Sequence, residues 1–284
     1  MTAEPLSLLA VKPHPDDEAI TMGGTLARYS AEGIRTTLVT ATRGEVGEIL
    51  DPELDLKEAA PRLATIREAE LRRACEIMGV GELVFLGYED SGMSGLPRNR
   101  EPGTFWQADE EEAVSRLIQV IRRVRPQVVA TENEVGGYGH PDHIKTHRVA
   151  VMAFYYANDV KRFPGGEAFR PSKLYYSAFP KSVGKQMAEA MRRAGVENRW
   201  GEDGEPPPFA VGDERVTTWL DVRPYVEIKI RAMLAHKTQI PPDSWFMKVR
   251  DVLGPDAWAR ESYERVRSRV ETPLPEDDLF AGLR

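Results

Sequence analysis

The chain has 284 residues, 41% of them hydrophobic and 29% charged, which is enough apolar content for a sizeable core with an ordinary load of charge. Its formal net charge of −7 argues against nucleic acid or an anionic membrane as a bulk partner, because both recruit basic faces. Cys75 is the only cysteine, which excludes an intramolecular disulfide and a cysteine-rich zinc site and leaves His and carboxylates to hold any metal.

No basic segment followed by an apolar stretch opens the chain, and no run of about 18 apolar residues occurs, so a cytoplasmic protein without a membrane span is expected. Residues 6–11 read as a buried strand and residues 21–31 as a helix whose Gly23-Gly24 pair permits close packing. Residues 36–42 read as a second strand, followed by the acidic loop Gly44-Glu45-Val46-Gly47-Glu48. Residues 61–78 are strongly helical, with Ile66, Ala69, Leu71, Ala74 and Ile77 close to the 3.6-residue period. A third strand over 83–86, a helix over 110–124 and a fourth strand over 127–131 follow, and Pro141 stands where a new helix should begin. This β-α-β-α rhythm predicts an α/β fold: a Rossmann-like, mostly parallel sheet with helices on both faces. Ligands then bind outside the carboxyl ends of the strands.

The later pattern is less regular. Residues 173–179 read as a strand, 183–194 as a helix, 202–213 as a Gly/Pro/acidic loop, 216–220 as a strand, 225–236 as a helix and 257–270 as a last helix. No internal repeat or low-complexity tract is present. The expected organisation is an α/β catalytic core over 1–175 and a C-terminal elaboration, 176–284, that caps the active-site edge.

Two short segments concentrate His and Asp: His14-Pro15-Asp16-Asp17-Glu18, and Tyr138-Gly139-His140-Pro141-Asp142-His143. Each follows a predicted strand, and in each a proline biases the preceding His toward extended backbone. Together they supply more ligands and acid/base groups than one metal needs, which points to catalysis rather than a structural zinc. Asp16 and Asp17 fall at a helix N-terminus, where the dipole favours carboxylates. Capping alone needs one Asp and no His two residues earlier. His143 falls in the first turn of the next helix and His147 one turn on, on the same face, so His140, His143 and His147 compete as ligands, with His147 placed beside the site rather than in it. His236, in a basic helix end, is either a partner for the helix C-terminus or a pocket residue. No G-x-G-x-x-G follows the first strand, which argues against a nucleotide-binding oxidoreductase.

The paired segments resemble the signature of the LmbE-like, or PIG-L, N-acetylglucosaminyl deacetylase superfamily. The resemblance extends through Ile66-Arg67-Glu68, Leu86-Gly87-Tyr88-Glu89-Asp90-Ser91-Gly92-Met93, Ala235-His236-Lys237-Thr238-Gln239 and Leu279-Phe280-Ala281-Gly282. It is closest to the mycothiol-pathway branch, which holds an N-acetylglucosaminyl-inositol deacetylase and a mycothiol S-conjugate amidase.

The resemblance implies a zinc-dependent hydrolase, with Fe2+ also suited to the donor set. It would remove the acetyl group from an N-acetylglucosamine moiety of a small glycoside, N-acetylglucosaminyl-inositol-like, with metal-bound water as nucleophile. His14, Asp17 and His143 would be the ligands and Asp16 the general base. Tyr138 and His140 would stabilise the oxyanion, and Asp142 would orient an imidazole. Arg67, Asp90 and Thr21 would bind substrate. The amidase branch is expected to carry a lysine where this chain has Thr21, whereas the acidic loop running into residues 50–56 is more like the amidase. A non-catalytic sugar-binding module would have lost the base or a ligand, and all are present. The expected partner is a small amino-sugar; self-association into a homo-oligomer is left open.

Overall fold

The computed structural model describes residues 5–197 and 205–284. Strand β1 (Ser7–Lys12), buried along its whole length, leads into α1 (Asp17–Ala31), β2 (Arg35–Thr40), the short α2 (Leu56–Ala59), α3 (Leu63–Met78) and β3 (Glu82–Phe85). Helix α4 (Glu110–Val124) and β4 (Val128–Thr131) follow, then one turn of α5 (Gly136–Gly139), α6 (Pro141–Tyr156), β5 (Lys173–Ala178) and α7 (Lys181–Arg193). The last elements are β6 (Thr218–Asp221), α8 (Val226–Ala235), α9 (Trp245–Leu253) and β7 (Arg260–Ser268).

These strands form one sheet in the order β3-β2-β1-β4-β5-β7-β6. Neighbours from β3 through β5 pair in parallel, and β7 runs antiparallel to β5 and β6. The mostly parallel, Rossmann-like sheet expected from the sequence is therefore present, with helices on both faces. Side chains alternate across a strand, so Leu8 and Ala10 of β1 face one core with Met22 and Leu26 of α1, Leu71 of α3 and Ile230 of α8. Leu9 and Val11 face the other, with Leu117 and Ile121 of α4 and Val149 of α6. Each of these Leu, Ile, Val and Met side chains, fully buried, contributes about 1.5–3 kcal/mol, and a strand buried on both faces needs apolar residues at every position rather than every second one.

The helix expected over 257–270 is instead the strand β7. Tyr263 and Val266, three apart, imitate a helix face, and the inward position before Tyr263 is the charged Glu261, which hides the period of two. Glu261 is 5% exposed because the backbone N–H groups of Gly24 and Thr25 donate to its carboxylate at 3.0 and 2.7 Å and Lys229 pairs with it. Helix α9, absent from the sequence reading, packs Val249 against Met187 and Met191 of α7. In the expected loop over 202–213, residues 202–204 lie outside the described residues, and the remainder holds no helix or strand before Asp213.

Parallel pairing brings the segments after β1, β2, β3 and β4 to one edge of the sheet. The segment following α8 reaches the same edge: Leu50 N–H donates to Thr238 O at 2.8 Å and Gln239 Nε2 to Glu48 O at 2.8 Å.

Helix α1 seats close to this sheet through its glycines. A Cβ on Gly24 would lie 2.6 Å from both Cβ and Cγ2 of the fully buried Val222. Gly24→Ala gains about 1 kcal/mol of helix propensity but overpacks a rigid β-branched contact, at a cost of about 1–3 kcal/mol. A net loss of stability is expected in urea denaturation; a net gain would show that α1 can shift away from Val222.

Candidate active site

Beyond β1 the chain turns through Pro13, His14 and Pro15 into α1. Asp16 stands at φ 117, a conformation that non-glycine residues seldom adopt. Its carbonyl starts α1 by accepting from Ala19 and Ile20, yet its side chain caps nothing. Three contacts from two side chains hold it there: its N–H donates to Glu18 Oε2 at 3.0 Å, Arg67 Nη2 lies 3.2 Å from its Oδ2, and Arg67 also donates to Pro15 O. Burial, with Asp17 and Glu18 close by, pushes the Asp16 carboxyl up to about 6 against the pull of Arg67 and His236. Asp17 goes the other way: His143 and His14 outweigh its burial and hold it well below the usual carboxylate range.

The second segment follows β4. Gly136, Gly137 and Gly139 all have positive φ, and a Cβ on Gly136 would meet Ile144 N at 2.6 Å. These glycines let the chain fold back so that His140 becomes the N-cap of α6. His140 Nδ1 accepts the Asp142 N–H at 3.1 Å, which leaves the ring proton of the neutral imidazole on Nε2. Burial and the neighbouring His14 and His143 press its titration down to about 3, so it stays neutral. Desolvation and Asp17 raise the Tyr138 phenol above its ordinary value, and its hydroxyl lies 3.4 Å from His143 Nε2.

The two segments converge. Asp17 Oδ2 lies 3.5 Å from His14 Nδ1 and 3.5 Å from His143 Nε2, and these three donor atoms all lie within 4.8 Å of one another. His14 and His143 are 6% and 3% exposed. The opposite nitrogen of each ring faces a carboxylate: His14 Nε2 is 3.2 Å from Asp142 Oδ2 and His143 Nδ1 is 3.2 Å from Glu132 Oε2. Carboxylates placed behind imidazoles in this way fix the tautomer that turns a lone pair toward a metal.

The surrounding charge agrees with a cation site. Asp16, Asp17, Asp90, Glu132 and Asp142 converge here, facing Lys12, Arg67, His14 and His143, and against its burial the pull of Asp90, Asp142 and Asp17 raises the His14 imidazole well above its ordinary value. A set of two imidazoles and a carboxylate, backed by excess buried negative charge, fits a divalent metal. His14, Asp90, His140 and Asp142 form a second grouping of the same breadth, but His14 Nε2 and His140 Nδ1 are already in hydrogen bonds there.

The other predicted residues are placed as follows. Asp142 is fully buried and accepts from Ser91 N–H at 2.9 Å and from the Ser91 hydroxyl as well as facing His14. Asp90 lies 3.6 Å from His14 Nε2, and His14 outweighs burial to hold its carboxyl low. Arg67 is 3% exposed, with Nη1 on Gly44 O at 2.7 Å and Nη2 on Pro15 and Asp16; its Nε is buried without a partner. Thr21 is one turn along α1, its hydroxyl donating to Asp17 O at 2.6 Å. His147 stays outside the grouping: its Nδ1 is 3.0 Å from Glu132 O and its ring packs on Tyr176. His236 is fully buried, with Nε2 2.7 Å from Glu18 Oε1.

Sequence reasoning missed Lys12, Ser91 and Glu132. The available signals were a lysine closing an otherwise apolar strand and a glutamate one residue beyond β4, on the edge where ligands bind.

Fold and site together define a Rossmann-like α/β hydrolase with a His/His/Asp set suited to one metal ion. The chain belongs to the PIG-L family: the family described as GlcNAc-PI de-N-acetylase matches residues 9–154. A 1D-myo-inositol 2-acetamido-2-deoxy-alpha-D-glucopyranoside deacetylase of Geodermatophilus obscurus is 47% identical, over 97% of this chain and 97% of that one. The mycothiol S-conjugate amidase of Streptomyces coelicolor is 38% identical, over 98% of each chain. The solved structure of the conserved protein TT1542 from Thermus thermophilus matches with a TM-score of 0.63 at 25% identity, covering 94% of this chain and 98% of that one. The chain is thus an enzyme that hydrolyses non-peptide amide bonds.

The two candidate histidines of α6 separate experimentally. His143→Ala is expected to purify with little metal, and His147→Ala with the wild-type content by elemental analysis; a metal-free His147→Ala would make His147 a ligand.

Proposed function

We propose that the chain is a zinc-dependent N-deacetylase of the cytoplasm. It removes the acetyl group from the N-acetylglucosamine moiety of a small glycoside of the N-acetylglucosaminyl-inositol kind. The observation that carries this reading is the convergence of His14, Asp17 and His143 beside a second carboxylate, Asp16, that neither caps its helix nor lies in the ligand set. The deacetylase name of the 47% identical relative supports the substrate class. His14, Asp17 and His143 would hold the zinc, and ferrous iron suits the same donors. Bound there, zinc supplies Lewis acidity toward the amide carbonyl and lowers the pKa of water.

The protein's own groups do the rest. Asp16, poised at about 6, takes the proton of the attacking water on its carboxylate and returns it to the departing amine nitrogen. His140, neutral with its proton on Nε2, and the Tyr138 hydroxyl donate to the oxyanion of the tetrahedral intermediate. Asp142 holds His14 from behind. Asp90 accepts from a sugar hydroxyl, and Arg67 lies beside the sugar while bracing the loop that carries Asp16. Thr21, its hydroxyl turned to Asp17 O, contributes a small surface in place of a longer side chain. In the same reading, residues 1–175 form the catalytic core and 176–284 the elaboration that caps the edge, through residues 236–239.

Hydrolysis of N-acetylglucosaminyl-inositol and of a mycothiol thiol conjugate, assayed side by side by release of amine, tests the substrate. Preference for the first is expected; preference for the conjugate would make the chain an amidase and overturn the deacetylase reading. Asp16→Ala should keep its zinc and lose about 10²–10⁴-fold in kcat. Loss of zinc along with activity would place Asp16 among the ligands.

A further inference from the structure

Lys12 is fully buried at the end of β1, where an apolar residue would complete the strand. Its Nζ donates to Glu132 Oε1 at 2.7 Å and to Ser177 Oγ at 3.0 Å, and the other oxygen of Glu132 faces His143 Nδ1 at 3.2 Å. A buried ion pair is no better for stability than well-packed apolar residues, and often worse. The fold alone therefore gives no reason for it. The counterpart on the other imidazole is built differently: Asp142 is held by neutral donors, the Ser91 N–H and hydroxyl, and the Ser91 oxygen in turn accepts from Trp106 N–H at 2.8 Å.

The geometry points to Lys12 and Glu132 as a positioning pair for His143, one that fixes which ring nitrogen carries the proton. The inference rests on the metal-site reading above. Lys12 has only donors, so an oxygen of residue 132 must face it. A carboxylate then still presents an oxygen to His143, Nδ1–H donates, and Nε2 turns its lone pair toward Asp17. With glutamine at 132, the amide oxygen must face Lys12 and the amide NH2 must face Nδ1. The ring proton moves to Nε2 and closes the ligand position. Removing Lys12 as well frees the amide to turn round and accept from Nδ1–H again.

The test is the affinity of the metal-free proteins for Co2+, measured by competition with a chelator and by the visible absorption of the bound ion, with near-UV circular dichroism confirming the fold of each. Glu132→Gln is expected to weaken binding by at least about 10–100-fold. The double variant Lys12→Met/Glu132→Gln is expected to recover on the order of tenfold or more of that loss, with the Co2+ spectrum returning toward wild type. A pair that served only stability would make the double variant no better than the single one. Should Glu132→Gln not fold, K12M/E132Q is compared with K12M/E132L, which lacks any acceptor for Nδ1–H and should bind at least about tenfold more weakly. Wild-type affinity in Glu132→Gln, a double variant no tighter than the single, or equal affinity in the last two variants overturns the positioning role. A wild-type protein that takes up no Co2+ overturns the metal-site reading and this inference with it.

Discussion

The backbone of Asp16 is the constraint on which the site depends. Holding a non-glycine residue in a sparsely populated region costs about 1–3 kcal/mol and persists only where the surroundings over-determine it. Here α3 supplies Arg67, which binds the Pro15 carbonyl and the Asp16 carboxylate, while Glu18 accepts the Asp16 N–H and is itself held by His236 at the end of α8. The consequence is chemical. A relaxed backbone would leave Asp16 to cap α1 in the ordinary way; the strained one separates two adjacent carboxylates, Asp17 against the imidazoles and Asp16 against Arg67.

The same edge gathers negative charge faster than the protein neutralises it. His14 alone faces Asp17, Asp90 and Asp142, each within 3.6 Å. Such a concentration, almost wholly removed from water, is tolerable only with hydrogen bonds to each carboxylate and a compensating cation. The hydrogen bonds are present: Gly92 N–H donates to Asp90 at 2.8 Å, Ser91 to Asp142, and His14 N–H to Asp17 at 3.0 Å. The unmet part of the charge is what a metal ion supplies, so the requirement for a cation is built into the packing rather than added to it.

Those features were legible in the sequence to the extent that they are local. The His-Pro-Asp-Asp and His-Pro-Asp-His segments keep their His and Asp side chains within a few residues, and the proline in each fixes the exit from a strand, so both could be assigned to the carboxyl edge directly. Lys12 meeting Glu132 spans 120 residues and Ser91 meeting Asp142 spans 51, and nothing in either neighbourhood announces the partner. Arg67 enters as a substrate contact only through the family resemblance, because nothing in its helical neighbourhood shows that its terminal nitrogens bind the Gly44 and Pro15 carbonyls of distant loops. Strand β7 was hidden for a related reason: its inward Glu261 is satisfied by helix N–H groups and a lysine far away in sequence, so its burial leaves no apolar mark.

That buried carboxylate also ties the later part of the chain to α1. Lys229, which pairs with Glu261, donates to Ile20 O at 2.8 Å, while Glu261 takes the N–H groups of Gly24 and Thr25. An ion pair contributed by α8 and β7 is therefore joined to the backbone of α1 at Ile20, Gly24 and Thr25, one to two turns beyond Asp16 and Asp17. His236 grips the first turn through Glu18. Helix α1 is thus fixed along its N-terminal half by residues that follow position 220, and the orientation of Asp16 and Asp17 is set jointly by the parallel core they extend and by the antiparallel strand added to its edge.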